Sequence, residues 1–141
     1  MKVYESSARI NATPDRVWSV LSDGARWADW ESGVERVEGR IAESAKLKIY
    51  SEASPGRAFP LKVTGIEPAR GMTFAGGMPL GLFRGVRRYT LRPMSDGVTE
   101  FTMREEYTGP LLPLIWRSMP DLQPSFDKFA NGLKQRVETG T

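Results

Sequence analysis

Two charged residues fall in phase with apolar rows. In segment 83–92, Phe83, Gly85, Arg87, Tyr89 and Leu91 alternate with Arg84, Val86, Arg88, Thr90 and Arg92. In segment 99–108, Phe101, Met103, Glu105 and Tyr107 alternate with Glu100, Thr102, Arg104, Glu106 and Thr108. Side chains on a strand alternate between the two faces of a sheet. With the aromatic and aliphatic set turned inward, Arg87 and Glu105 turn inward as well. Burying a charge is costly unless it is paired. A hairpin centred near Ser95–Asp96 brings position 87 opposite 103–105, so the two can pair on one face. As a site, Arg87 would hold a carboxylate, phenolate or carbonyl oxygen, and Glu105 would orient it or act as a base. As a structural pair, they would brace the sheet at the edge of a cavity. Tyr4, Tyr89 and Tyr107 share the inward rows, each with a ring for the core and a hydroxyl for a partner. Arg87, Glu105 and Tyr107 are therefore the catalytic candidates, if there is catalysis at all.

Composition narrows the chemistry. The chain has no cysteine and no histidine. Thiolate nucleophiles, disulfides, zinc–sulfur sites and every histidine-dependent triad are excluded. No acidic cluster has the spacing of a metal site, so no metal and no cofactor is expected. The net charge is +3. The row Arg84, Arg88, Arg92 reads as a solvated outer face, and no nucleic-acid-binding pattern accompanies it. No apolar run is long enough to span a bilayer. The start of the chain has no apolar signal core, so a cytoplasmic location is expected.

The elements that position these residues follow from pattern. The length of 141 residues predicts a single domain over 1–141. Residues 2–11 alternate as a strand. Thr13, Pro14 and Asp15 start a helix whose apolar face is Val17, Trp18, Val20 and Leu21. Gly24 interrupts it, and a second short helix carries Arg26 to Asp29. Strands follow at 33–39, with room for a bulge, and at 46–52, 59–67, 72–76, 83–92 and 97–108. The tail, 111–138, is helical in two parts separated by Pro120 and Pro124. Asp121 is placed to cap the last helix, where Phe126, Phe129, Ala130, Leu133 and Val137 form one apolar stripe. The fold class is α+β: a curved, antiparallel, seven-stranded sheet wrapped around a long C-terminal helix, with two short helices after strand 1.

This order resembles the START-like superfamily, also called SRPBCC or helix-grip. The resemblance rests on Ile10-Asn11-Ala12-Thr13-Pro14-Asp15-Arg16-Val17-Trp18-Ser19-Val20-Leu21-Ser22-Asp23 and on Trp27-Ala28-Asp29-Trp30. Leu91-Arg92-Pro93, Gly97-Val98-Thr99-Glu100-Phe101-Thr102, the run Glu105 to Leu111 and the final helix extend it over nearly the whole chain. The chain looks most like the bacterial polyketide cyclase/dehydrase-like branch. The resemblance implies a cavity between sheet and last helix that holds a hydrophobic ligand. It implies no activity in particular, and the lack of histidine departs from histidine-based chemistry elsewhere in the superfamily.

The expected function is binding of a small, mostly hydrophobic ligand (lipid, aromatic or polyketide-like) in that cavity. The ligand-binding candidates are Arg87, Tyr89, Met103, Glu105, Tyr107, Phe74, Leu61, Trp30, Phe126, Phe129 and Leu133. A cyclase or dehydratase acting on a polyketide-like or aromatic substrate is an alternative, with Arg87 stabilising an enolate and Glu105 or Tyr107 moving the proton. A protein-interaction module of the chaperone-activator type is another. The small molecule is the expected partner, without nucleic acid. Met78, Leu80, Leu82 and Phe83, with Leu112, Leu114, Ile115 and Met119, are candidates for a lid or portal, or else seal the core or a homodimer contact.

Overall fold

A computed structural model describes residues 1–140. The chain forms β1 (Lys2–Ile10), α1 (Pro14–Leu21), a 3₁₀ turn (Gly24–Asp29), β2 (Val34–Glu38), β3 (Lys46–Ser51), β4 (Ala58–Glu67) and β5 (Gly71–Gly77). A short 3₁₀ turn at Pro79–Gly81 leads to β6 (Arg84–Ser95), β7 (Val98–Thr108), α2 (Leu112–Ser118) and α3 (Gln123–Thr139). The seven strands make one antiparallel sheet in the order β1-β7-β6-β5-β4-β3-β2. Short turns join β2 through β7 in sequence, so neighbours in the chain are neighbours in the sheet. Only β1 crosses to pair with β7.

Local chemistry sets the boundaries. Thr13 caps α1 by accepting from the Arg16 amide, and Pro14 fills the first turn. The second helical segment is a 3₁₀ turn that begins at Gly24, two residues before the expected Arg26. The bulge in β2 lies between Val34 and Arg36. Strand β6 continues past Arg92 through Pro93, where the ladder shifts register next to the hairpin. Asp121 does not occupy the cap position of α3, which is Leu122. Its carboxylate accepts from the Gln123 amide at 3.0 Å from one residue further out. Pro124 falls in the first turn of α3 and costs it no hydrogen bond.

Helix α3 is fastened to β1 along its length. Gln123 Nε2 donates to the Glu5 carbonyl, Ser6 Oγ to Asp127, and Lys134 Nζ to the Arg9 carbonyl. The Asn11 amide donates to Glu138, and Arg16 reaches the Val137 carbonyl at the far end. The close backbone approaches of α3 are to β1, α1, β7 and the loop at Glu31. The helix thus sits on one side of the curled sheet and stands off from β3 and β4.

The interior is filled at one end. Trp27, Phe74, Tyr89, Phe101 and Phe129 form an aromatic cluster with ring centres 4.9–6.2 Å apart. Ile10, Val17, Leu21, Leu133 and Val137 close the space around it and are almost wholly buried. At the other end the sheet and helix diverge.

Candidate functional site

Where they diverge lies a cavity of about 440 Å³. Its sheet side is built by β3, β4, β5, β6 and β7, and its roof by the start of α3. The inward rows of β6 and β7 supply the polar floor. Arg87 and Glu105 are register partners, and Arg87 Nε donates to Glu105 Oε1 at 2.6 Å. Their side chains are 23 % and 13 % exposed. Arg87 Nη1 lies 3.4 Å from the Tyr89 hydroxyl, and the Arg87 guanidinium carbon stands 4.7 Å from the centre of the Phe126 ring. The cation is thus held by the sheet from below and by the helix from above.

Electrostatics hold the proton on Arg87 and on the two tyrosines. Burial alone would lower the Arg87 guanidinium, but the Glu105 charge and the Tyr89 hydroxyl more than offset that, and its pKa is raised. Burial pushes the Tyr107 phenol well above its ordinary value, and the Glu105 charge adds to the effect. Burial also raises Tyr89, against the opposing pull of Arg87. Both phenols therefore keep their protons at neutral pH, and the Tyr89 oxygen accepts from Arg87.

Gly85 makes room for this arrangement. It precedes Arg87 on the same face, and a Cβ there would stand 3.0 Å from Glu105 Oε2 and 3.3 Å from the Tyr107 ring. Tyr107 in turn stacks on Phe83 at 6.0 Å and packs against Tyr4 and Trp116. Trp116 is thereby tied to the edge of the core.

Of the ligand-binding candidates, Arg87, Met103, Glu105, Tyr107, Leu61, Phe126 and Phe129 line the cavity. Tyr89, Phe74, Trp30 and Leu133 do not. Tyr89, Phe74 and Leu133 are wholly buried in the filled end, and Trp30 packs edge-on to Phe129 at 5.2 Å. Strand alternation gives the correct face for Tyr89 and Phe74 but not the position along the strand at which packing stops. Leu133 lies on the cavity-facing stripe of α3, one turn too far along. Among the portal candidates, Phe83, Ile115 and Met119 reach the cavity, Leu112 is buried, and Leu80 and Leu114 stand 96 % and 64 % exposed.

Several lining residues escaped sequence reasoning. The β3–β4 connection contributes Ala53, Ser54 and Arg57 to the rim, and α3 contributes Ser125. Gly76, Gly77 and Gly85 line the sheet side. Three glycines in adjoining strands were a legible signal, since strand glycines mark close approach or open space. Phe59 was legible too. It shares the inward row of Leu61 yet remains 43 % exposed, because no helix covers that end of β4. Lys128 of α3 pairs with Glu52 at 2.8 Å and with Glu31 at 3.5 Å, beside the lining residues Ser32, Gly33, Ser51 and Ala53.

Comparisons with known proteins agree with this architecture. A family model described as polyketide cyclase / dehydrase and lipid transport matches residues 1–138. A START superfamily protein from Mycobacterium smegmatis superposes with a TM-score of 0.69 at 16 % identity, covering 99 % of both chains. Truncated norcoclaurine synthase from Thalictrum flavum gives 0.70 at 17 % identity, over 96 % of this chain and 92 % of that one. The di-domain ARO/CYC BexL of the BE-7585A biosynthetic pathway gives 0.71 at 16 % identity, over 97 % of this chain and 46 % of that one. At such identities the likeness is one of fold. No curated protein matches.

Proposed function

The chain belongs to the polyketide cyclase / dehydrase and lipid transport family, and from that premise we propose that it binds a small, mostly apolar molecule bearing one uncharged polar group. The observation that carries this is the Arg87–Glu105 pair with Tyr107 on the wall of an otherwise largely apolar cavity. A volume of about 440 Å³ suits a ligand of a few fused rings or a short acyl chain. The pair is already neutral as a unit. A ligand carboxylate would enter without a free countercharge at the floor, and burying it would be costly. A ketone, phenol or hydroxyl can instead accept from Arg87 or from the Tyr107 hydroxyl.

Thermal-shift titration with matched apolar compounds tests this. Ketones and phenols should raise the melting temperature more than the corresponding carboxylates, and Arg87→Met should erase the difference. Equal shifts for all three classes, or a preference for carboxylates, would reject the proposed anchor.

A second reading is supported by the adjacency of a protonated phenol, Tyr107, and the Glu105 carboxylate. Arg87 would stabilise an enolate oxygen while Tyr107 or Glu105 moves the proton, as in a cyclase or dehydratase step. Glu105→Gln would then lose turnover while still retaining the ligand. Retained turnover in that variant would remove Glu105 from the chemistry.

A further inference from the structure

Basic residues border part of the cavity mouth, with Glu52 and Asp121 flanking them in the chain. Three segments border it, 53–62, 76–84 and 109–120, contributing Arg57, Phe59, Gly77, Phe83, Ile115 and Met119 to the lining. These segments contain Arg57, Lys62, Arg84 and Arg117 and no acidic residue. None of the four takes part in an ion pair found among the described residues.

The same segments carry Phe59, Met78, Leu80 and Leu114, which stand 43 %, 43 %, 96 % and 64 % exposed. Leu80 is the most telling. Its φ of 61° is left-handed, a conformation that glycine or asparagine adopts at lower cost. It buries almost nothing, so neither turn geometry nor core packing accounts for a leucine there. The Leu111 amide donates to the Leu82 carbonyl at 2.9 Å, which ties the Leu80 loop to the start of α2 and sets Leu80 and Leu114 on adjoining segments. No helix among the described residues is long and apolar enough to cross a membrane, so contact with a bilayer would be peripheral.

We infer that this rim docks the mouth of the cavity onto an anionic lipid surface. The exposed leucines enter the interface while Arg57 and Arg117 meet the headgroup charge. Passage of the ligand directly between bilayer and cavity rests on the ligand-binding reading above; the docking itself does not.

Vesicle flotation tests the docking. One set of vesicles is phosphatidylcholine alone, and the other is an equimolar mixture with phosphatidylglycerol. The protein should float with the mixed vesicles only, and high salt should release it. Leu80→Asp and Leu114→Asp should each lower partitioning by about tenfold or more. The double variant Arg57→Glu/Arg117→Glu should abolish it. Arg9→Glu, at the far end of β1, should leave it unchanged. Failure to float with anionic vesicles, or equal weakening by Arg9→Glu, would overturn the inference. So would a concentration-dependent dimer, seen by sedimentation and abolished by Leu80→Asp, because it would assign the rim to a second copy. Thermal shifts with a water-soluble compound, without vesicles, separate the two proposals. Leu80→Asp should keep those shifts in full whether or not docking is real.

Discussion

The Arg87 guanidinium lies against the Phe126 ring, with 4.7 Å between the guanidinium carbon and the ring centre, while its Nε is held by Glu105. One cation thus joins the sheet floor to the helix roof at the inner end of the cavity. Its removal should be felt in stability as well as in binding.

Arg87→Met leaves the Glu105 carboxylate 13 % exposed and without its partner. Breaking such a pair from one side should cost about 2–3 kcal/mol, less than for a fully buried pair. Replacing both residues, Arg87→Met with Glu105→Leu, should recover most of that loss, since two apolar groups leave no orphan charge. Urea unfolding of the single and double variants reads the difference. A double variant no more stable than Arg87→Met alone would show that the pair itself contributes net stability.

Alkaline conditions should weaken the fold through Tyr107 and Tyr89, whose folded-state values are raised by burial. Below about pH 10 both the folded and the unfolded chain hold these protons, and stability is indifferent to them. Above that, the unfolded chain releases protons that the folded chain keeps, so stability falls as pH rises. The slope reaches about 1.4 kcal/mol per pH unit for each tyrosine. Tyr107→Phe should flatten the decline by one such contribution, measurable by chemical denaturation between about pH 9 and about pH 11.

Gly132 sits mid-helix in α3, where alanine would ordinarily be preferred by about 1 kcal/mol. The structure reverses that preference. A Cβ at this position would fall 1.9 Å from the Glu31 carbonyl oxygen and 2.6 Å from its carbon. The backbone at 30–31 would have to move, so Gly132→Ala should lose about 2 kcal/mol or more overall. A melting temperature unchanged or raised by the substitution would contradict the close approach of loop and helix.

Lys128 ties α3 to Glu52 at the start of the β3–β4 connection, beside the lining residues Ser51 and Ala53. Both are substantially exposed, at 39 % and 55 %. Such a pair contributes under about 1 kcal/mol to stability. Lys128→Ala should therefore leave the unfolding midpoint nearly unchanged. It should speed release of a bound compound, because Ala53 and Ser54 of the rim flank the freed anchor. Stopped-flow displacement checks the rate, and an unaltered off-rate would remove the bridge from the exit path.

The Arg87–Glu105 pairing was legible in outline: alternation fixes the face, and a hairpin centred near Ser95–Asp96 sets 87 opposite 103–105, while the register shift between Pro93 and Ser95 selects 105. The apolar stripe of α3 was legible for the same kind of reason. The division of the interior was not. Phe74, Tyr89 and Leu133 share faces with lining residues, but whether they meet a void or another ring depends on Trp27 arriving from the 3₁₀ turn. No local pattern encodes that long-range meeting. The rim at 53–57 was opaque for another reason. Ser54-Pro55-Gly56 announces a turn and says nothing of what the turn overlooks.

The lopsided seating of α3 has a consequence for how such a molecule changes over time. Most of the bonds that hold the helix down run to β1, while much of the surface that shapes the hollow belongs to β3, β4 and their connection. Substitutions on those distant strands can widen, narrow or re-polarise the chamber without disturbing the anchorage of the helix. A lineage built this way is free to trade one small-molecule guest for another while its architecture stays put.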